Sequence, residues 1–434
     1  MASRTSLVIG VFAALAALLT PSARADYDFS ALSALANGAL VGQNVDRPVP
    51  GFEIRLLKHG VPIYHQVFGA WSLNRPANVD SSTKTLSGAL TMSLVDSGEA
   101  GFSLDSRLAD FLPEYDAPGR RDITIRQAFS HTSGISGDEA DFVLSNPNIT
   151  LRQAAAVISQ KPLASAPGST FSYGGLSMQA AGAAAEVAAG QDYVDLFAER
   201  LATPLQMTST QFVLASDTNP RVAGGVESTA ADYSRFMDML ANDGVDRITG
   251  VRILSSAGVN EMLTRQTTDA QPIANSPADN NRYGIGVWID QLTQAGPPVD
   301  ALAAGARGFH SWIDRSNDLV FAFATDLSHF ANVETLSSMM HVEILSAVPA
   351  ADFTFDGAVD GEDLTVWQDA FGATAQADAN HDEQSDGADF LLWQRGLTTT
   401  NGEAAATAIA VPEPIAILQA AVLLGLMAPM TVRR

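Results

Sequence analysis

Cysteine is absent from all 434 residues, which excludes disulfide cross-links and thiolate metal sites. Basic residues are scarce, 25 Lys and Arg against 48 Asp and Glu for a formal net charge of −23. No basic stripe exists to neutralise phosphates, so the chain is not a nucleic-acid binder. The seven histidines are scattered, and none sits in a His-Glu-x-x-His spacing, which argues against catalytic zinc. What is abundant is apolar: 46% of the residues, enough for a substantial core in one large domain with smaller modules attached.

The first 25 residues read as a secretory leader. Arg4 precedes an apolar run from Leu7 to Leu19, and Ala23-Arg24-Ala25 offers a small-residue cleavage site. The mature chain is expected to begin near Asp26 and to work in the periplasm, at the cell surface or outside the cell. An exported chain without cysteines must rely on its core for stability.

From Phe52 the sequence alternates apolar and polar residues, turns at Lys58-His59-Gly60 and resumes from Val61 to Phe68, the pattern of a β-hairpin. Between Leu86 and about Leu263 the apolar residues recur at helical spacing, as in Ala154 to Ile158, Met178 to Val187, Val194 to Leu201 and Tyr233 to Leu240. Strand-like runs return at Tyr283 to Ile289, Gly308 to Ile313 and Leu319 to Thr325, followed by a predicted helix from about Val333 to Val348. The expected fold is α+β: an antiparallel sheet of about five strands flanked by helices, with a large helical insertion.

Ser81 and Lys84 stand three residues apart where the first of these helices begins. Residues i and i+3 share a helix face, so the amine can reach the hydroxyl. A partly desolvated, deprotonated lysine is expected to take the serine proton, and the helix N-terminus favours the resulting negative charge.

Further landmarks follow in order: Gly101-Phe102-Ser103-Leu104-Asp105, Leu112-Pro113-Glu114-Tyr115, Ser130-His131-Thr132-Ser133-Gly134, Pro167-Gly168-Ser169-Thr170-Phe171-Ser172-Tyr173 and Gly224-Gly225-Val226-Glu227-Ser228-Thr229. Taken with Ser81-x-x-Lys84, this set resembles the serine beta-lactamase-like family: class C beta-lactamases, penicillin-binding D-Ala-D-Ala peptidases and their esterase relatives. The resemblance spans roughly Leu35 to Val348. It implies Ser81 as nucleophile, Lys84 as base and Tyr173, in Tyr173-Gly174-Gly175, as partner in proton transfer. The family's asparagine in that second motif is Gly175 here, so its amide contact is missing. The third motif, Lys-Thr-Gly or His-x-Gly in the family, corresponds to Ala303-Ala304-Gly305. The glycine remains, expected to let substrate approach the backbone, and the cation is lost. The resemblance assigns the oxyanion donors to the N–H groups of Ser81 and Ala306. On period two, 303, 305 and 307 share a face, so Arg307 is a candidate replacement for the cation. His131 is expected to be structural.

After Ala350 the composition turns acidic. Asp363 and Asp389, Trp367 and Trp393, and Gln368 and Gln394 repeat at a spacing of 26. Oxygen side chains fall at loop positions 1, 3, 5, 9 and 12: Asp352, Thr354, Asp356, Asp360 and Asp363, then Asp378, Asn380, Asp382, Asp386 and Asp389. This is EF-hand-like spacing for Ca2+. The pair resembles a dockerin type I module over residues 350–398, which implies a cohesin-like protein partner. Residues 399–410 form a small-residue linker. Val411-Pro412-Glu413-Pro414, the apolar run from Ile415 to Met430 and Arg433-Arg434 resemble a PEP-CTERM sorting signal, a transient anchor too short for a stable span.

The domain plan is therefore a leader (1–25), a hydrolase domain (26–349), calcium-binding repeats (350–398), a linker (399–410) and a sorting segment (411–434). The expected activity is acyl transfer to water on small esters or amides, with D-Ala cell-wall peptides and beta-lactams as less favoured substrates and no catalytic cofactor. A surface scaffold whose hydrolase domain has decayed is the competing reading, motivated by Ala303 and Gly175.

Overall fold

The computed structural model describes residues 27–291, 296–329, 331–374, 376–380 and 384–397. The leader, the linker and the sorting segment lie outside these residues.

Five antiparallel strands form the central sheet: β1 (Gly51–Lys58), β2 (Val61–Gly69), β3 (Ala301–Ala304), β4 (His310–Asp314) and β5 (Leu319–Ala324), in the order β3-β4-β5-β1-β2. β1 and β2 are the expected hairpin, with a register irregularity between Leu56 and Leu57. Both sheet faces are covered. On one, Phe52, Ile54, Leu56, Trp312, Phe321 and Phe323 pack with helices α1 (Ser30–Ala39) and, near the chain's end, Glu334–Ala347. On the other, Leu57, Ile313, Val320, Ala322 and Ala324 join the large core of the helical region. Burial on both sides explains why β5 reads Leu-Val-Phe-Ala-Phe-Ala without alternation.

The helical region between the hairpin and β3 holds α2 (Thr83–Ser97), α3 (Leu151–Ser159), α4 (Leu176–Ala189), α5 (Ala230–Ala241) and α6 (Ser256–Leu263). α2 runs through its centre, buried on every side from Thr83 to Leu94, as expected of a helix without a polar face. Gly98 ends it in the left-handed conformation, its N–H returning to the Leu94 and Val95 carbonyls. α5 lies across β1, β4 and β5.

One expected strand fails. Tyr283–Ile289 makes only single bridges, Tyr283 to Trp288 and Trp288 to Leu302, and the edge strand is Ala301–Ala304 instead. Gly286 has φ +75°, and a Cβ there would stand 2.3 Å from the Lys84 carbonyl oxygen. The segment bends to lie against the start of α2, which a straight strand cannot do.

Helix α7 (Glu334–Ala347) closes the large unit. Beyond it α8 (Gly361–Ala370) and α9 (Gly387–Gly396) share a small core of their own. Each begins on an aspartate cap, Asp360 and Asp386, with Asp363 and Asp389 completing a reciprocal cap. The 26-residue repeat becomes a pseudo-two-fold exchange: Trp367 Nε1 donates to the Asp386 carbonyl at 2.8 Å and Trp393 Nε1 to the Asp360 carbonyl at 2.6 Å. The module rests on the large unit through Tyr27, whose hydroxyl donates to Asp352 Oδ2 at 2.7 Å, and through Phe355 stacked on His59.

Candidate active site

Ser81 is the middle residue of a 3-10 turn, Asp80–Ser82, that feeds α2. Ser82 makes no side-chain cap, so the hydroxyls at this helix start do not serve as a conventional N-cap. Lys84 follows on the same face, buried to 1% exposure. Its Nζ donates to Ser81 Oγ at 3.1 Å, Glu139 Oε1 at 2.8 Å and the Ala223 carbonyl at 2.9 Å, which uses all three ammonium protons. It also sits 4.6 Å from the centre of the Tyr173 ring, within cation–π range.

The charge state of Lys84 differs from expectation. Burial pushes its pKa down, but the Glu139 carboxylate and the Tyr173 phenol outweigh burial and hold it above the ordinary lysine range. Glu139 responds in the same sense: burial would raise it, yet Lys84 and Arg221 bring it to about 2. Arg221 Nη2 holds its second oxygen at 2.9 Å. The resting lysine is thus an ammonium, not the deprotonated base its burial alone would produce.

Glu139 was not foreseen, and the altered second motif explains its place. A Cβ built on Gly175 would stand 3.1 Å from Glu139 Oε2. The carboxylate thus occupies the space beside Gly175 that a larger side chain there would claim. Tyr173, beside it, stacks on Trp288 with ring centres 5.4 Å apart and planes at 19°. His131 packs 4.6 Å from Tyr173 and its Nδ1 accepts from the Gly174 N–H at 3.4 Å. Burial and the nearby Lys84 hold this imidazole neutral, its pKa at about 3.

The third motif is also rearranged. Ala303 faces the core at 2% exposure, while Leu302 and Ala304 line the cavity beside Ser81. The strand ends at Ala304, so period two does not carry on to 305 and 307: Gly305 lines the cavity together with Ala304 and Ala306, while Ala303 does not. Gly305 serves a close approach of another kind: a Cβ there would be 2.5 Å from the Val79 carbonyl oxygen, so it admits the backbone entering the Ser81 turn. Arg307 does not replace the missing cation. Its Nε and Nη2 bind the Asp80 carboxylate at 2.9 and 3.0 Å, its N–H adds a third bond at 3.1 Å, and its Nη1 pairs with Asp326 at 2.9 Å. Asp80 has φ +44°, a conformation that costs a non-glycine residue energy, and the Arg307 clamp holds it there. Ala306 lines the cavity, its carbonyl turned to accept from the Ala331 N–H at 3.0 Å. The cavity has a volume of about 300 Å³.

The candidate calcium ligands lie apart from this site. Asp352, Asp363 and Asp389 are buried, at 1%, 0% and 0% exposure. Asp363 accepts from the Thr354 and Asp360 N–H groups, Asp352 from those of Asp356 and Gly357, and Asp389 from those of Ala379, Asn380 and Asp386. Asp356 and Asp360 cap local N–H groups, as does Asp386. Asp378 is placed within the second loop, and Asp382 lies outside the described residues. Among the described residues no three carboxylate or imidazole groups converge on one point. The donor set is nonetheless all oxygen, with a buried acid at position 12 of both loops and at position 1 of the first, a chemistry suited to a hard cation.

Comparison with known proteins agrees with this geometry. The sequence model of the beta-lactamase family matches residues 36–337. Penicillin-binding protein 4 of Amycolatopsis lactamdurans is 34% identical over 209 residues, covering 41% of this chain and 53% of that protein. The chain thus spans about half the length of that relative. A Bacteroides dorei structure assigned to the beta-lactamases superposes with a TM-score of 0.64 at 25% identity, covering 74% of this chain and 99% of that one. A family VIII carboxylesterase shares the fold at 19% identity, with a TM-score of 0.58 over 71% of this chain and 95% of its own.

Proposed function

Because the chain belongs to the beta-lactamase family of serine hydrolases, we propose that it is an exported acyl hydrolase acting through a Ser81 acyl-enzyme on esters or amides that carry no carboxylate. The observation that carries this reading is the 3.1 Å contact of Lys84 Nζ with Ser81 Oγ at the edge of a cavity that Tyr173 also lines. The bias away from carboxylates follows from Ala303 and from Arg307, whose charge is already bound. It separates this site from the beta-lactam and D-Ala peptide chemistry of other family members.

In this mechanism Lys84 works from its deprotonated form: Ser81 Oγ attacks the carbonyl carbon while the Lys84 amine takes its proton, and the Glu139 carboxylate steadies the ammonium that results. The carbonyl oxygen becomes an oxyanion held by the N–H groups of Ser81 and Ala306. As the tetrahedral intermediate collapses, the leaving group takes a proton back from the Lys84, Glu139 and Tyr173 network. Water then attacks the acyl-enzyme, and the acid departs with Ser81 restored. A neutral fluorophosphonate should label the protein stoichiometrically and fail to label Ser81→Ala. Absence of labelling would favour the decayed-scaffold reading.

We also propose that the two acidic loops of the C-terminal module bind Ca2+, as the dockerin resemblance implies, with Asp352, Asp363 and Asp389 as central ligands. A cohesin-like partner and C-terminal sorting follow from the same resemblances. Addition of Ca2+ to the full chain after chelation should change the fluorescence of Trp367 and Trp393 with saturation. No change on titration would overturn the assignment.

A further inference from the structure

The charges around the Ser81 cavity are unbalanced. Among the described residues no lysine or arginine lines it. Lys84 is committed to Ser81, Glu139 and Ala223, and Arg307 to Asp80 and Asp326. Two carboxylates do line it, Glu139 and Glu334. Glu139 is compensated by Lys84 and Arg221. Glu334 is not: its carboxylate meets no ion-pair or hydrogen-bond partner among the described residues, while its N–H donates to Asn332 Oδ1 at 2.8 Å. Burial pushes its pKa up, the sign of an acid lacking a counter-charge.

A second feature points to a ligand. His310 is 2% exposed and lines the same cavity, and its Nε2 is buried without a hydrogen-bond partner. An unpaired buried polar atom is costly, and here it borders the space a substrate would fill. Burial keeps this imidazole neutral, its pKa at about 3, so it adds no positive charge. Trp288, stacked on Tyr173, supplies an aromatic wall to which cations are attracted.

We propose that this cavity selects acyl donors bearing a protonated amine, with Glu334 as counter-ion and His310 as a second polar contact, and discriminates against donors bearing a carboxylate. The inference rests on the acyl-enzyme reading above and deepens it by naming the substrate class: amino-acyl or aminoalkyl esters and amides. An ammonium close to Glu334 at reduced dielectric gains attraction, and a carboxylate there meets repulsion of similar size.

The test uses three p-nitrophenyl esters of equal chain length that end in ammonium, methyl or carboxylate. kcat/KM should fall in that order, with roughly tenfold or more between the extremes. Glu334→Gln should bring the ammonium-to-methyl ratio close to one, and added salt should lower the ratio in the native protein. A native ratio of ammonium to carboxylate at or below one, or a ratio unchanged in Glu334→Gln, overturns the proposal. The corresponding non-hydrolysable amides, titrated calorimetrically into Ser81→Ala, should bind in the same order, and equal binding is equally fatal. Fluorophosphonate labelling separates the two readings: labelled Ser81 without charge preference sinks only this proposal, and no labelling sinks the hydrolase reading.

Discussion

Glu139 shows how one side chain can stand in for a lost residue. It occupies the space beside Gly175 and pins Lys84 as an ammonium, so the two positions should be coupled. Gly175→Asn alone should lower kcat/KM by roughly tenfold, because its side chain displaces the carboxylate, and combining it with Glu139→Ala should recover part of the loss. Steady-state kinetics on the two single variants and the double variant measure the coupling. Additive effects would mean that the two residues do not share the space functionally. The Lys84 pKa gives a second expectation. Activity that needs Lys84 to accept a proton rises with pH, and Glu139→Gln removes the charge that holds the ammonium. The rising limb of the kcat/KM profile should therefore move to lower pH. Ser81 and Lys84 were legible in the sequence as a pair because a short spacing joins them, and Tyr173 only through the resemblance of Tyr173-Gly174-Gly175 to the family's second motif. Glu139 was not, since it lies 55 residues from Lys84 on a loop without periodicity, and only the geometry at Gly175 reveals its place.

Among the elements, the turn before α2 is held from across the fold. Asp80 keeps its left-handed backbone while Arg307, on the loop between β3 and β4, grips its carboxylate. Arg307→Ala should lower kcat for cationic, neutral and anionic esters alike and cost about 1–3 kcal/mol of stability. Denaturant midpoints and the three-ester series check both parts. A loss confined to anionic esters would restore Arg307 as a substrate cation. The hairpin, the helices of the insertion and β5 were readable because period and burial leave a direct imprint on composition. Tyr283–Ile289 misled because its aromatic and β-branched residues have strand propensity, while Gly286 forces a bend against α2. Propensity yielded to a tertiary contact.

For the whole molecule, the buried ionisable groups set the acid limit. His131 and His310, with pKa values at about 3, bind fewer protons folded than unfolded between pH 6.5 and 3. Each therefore costs stability steadily as pH falls through that range. Glu186, raised to about 7, and Asp238, raised to about 6, both by burial, act in the opposite sense down to their unfolded values near 4. Glu139, lowered to about 2, loses its contribution below about pH 4.5. Stability should be nearly flat from pH 6.5 to 4.5 and fall steeply below. His310→Gln removes one loss, so its stability should rise on acidification over the flat range. Urea midpoints across pH 7 to 3.5 test the sign, and a steady decline from pH 6.5 in the native chain would refute the balance.

The hydrogen bond from Tyr27 to Asp352, at the start of the C-terminal module, places the two ends of the large unit, near residues 27 and 349, close together. A segment whose ends touch is a closed circuit and can be opened elsewhere. Joining residue 350 to residue 27 by a short flexible bridge and cutting the exposed 268–272 loop should give a permuted enzyme with the same order of strands in space. It also means that this unit can be inserted as one piece into a surface loop of another protein, entering and leaving through a single point.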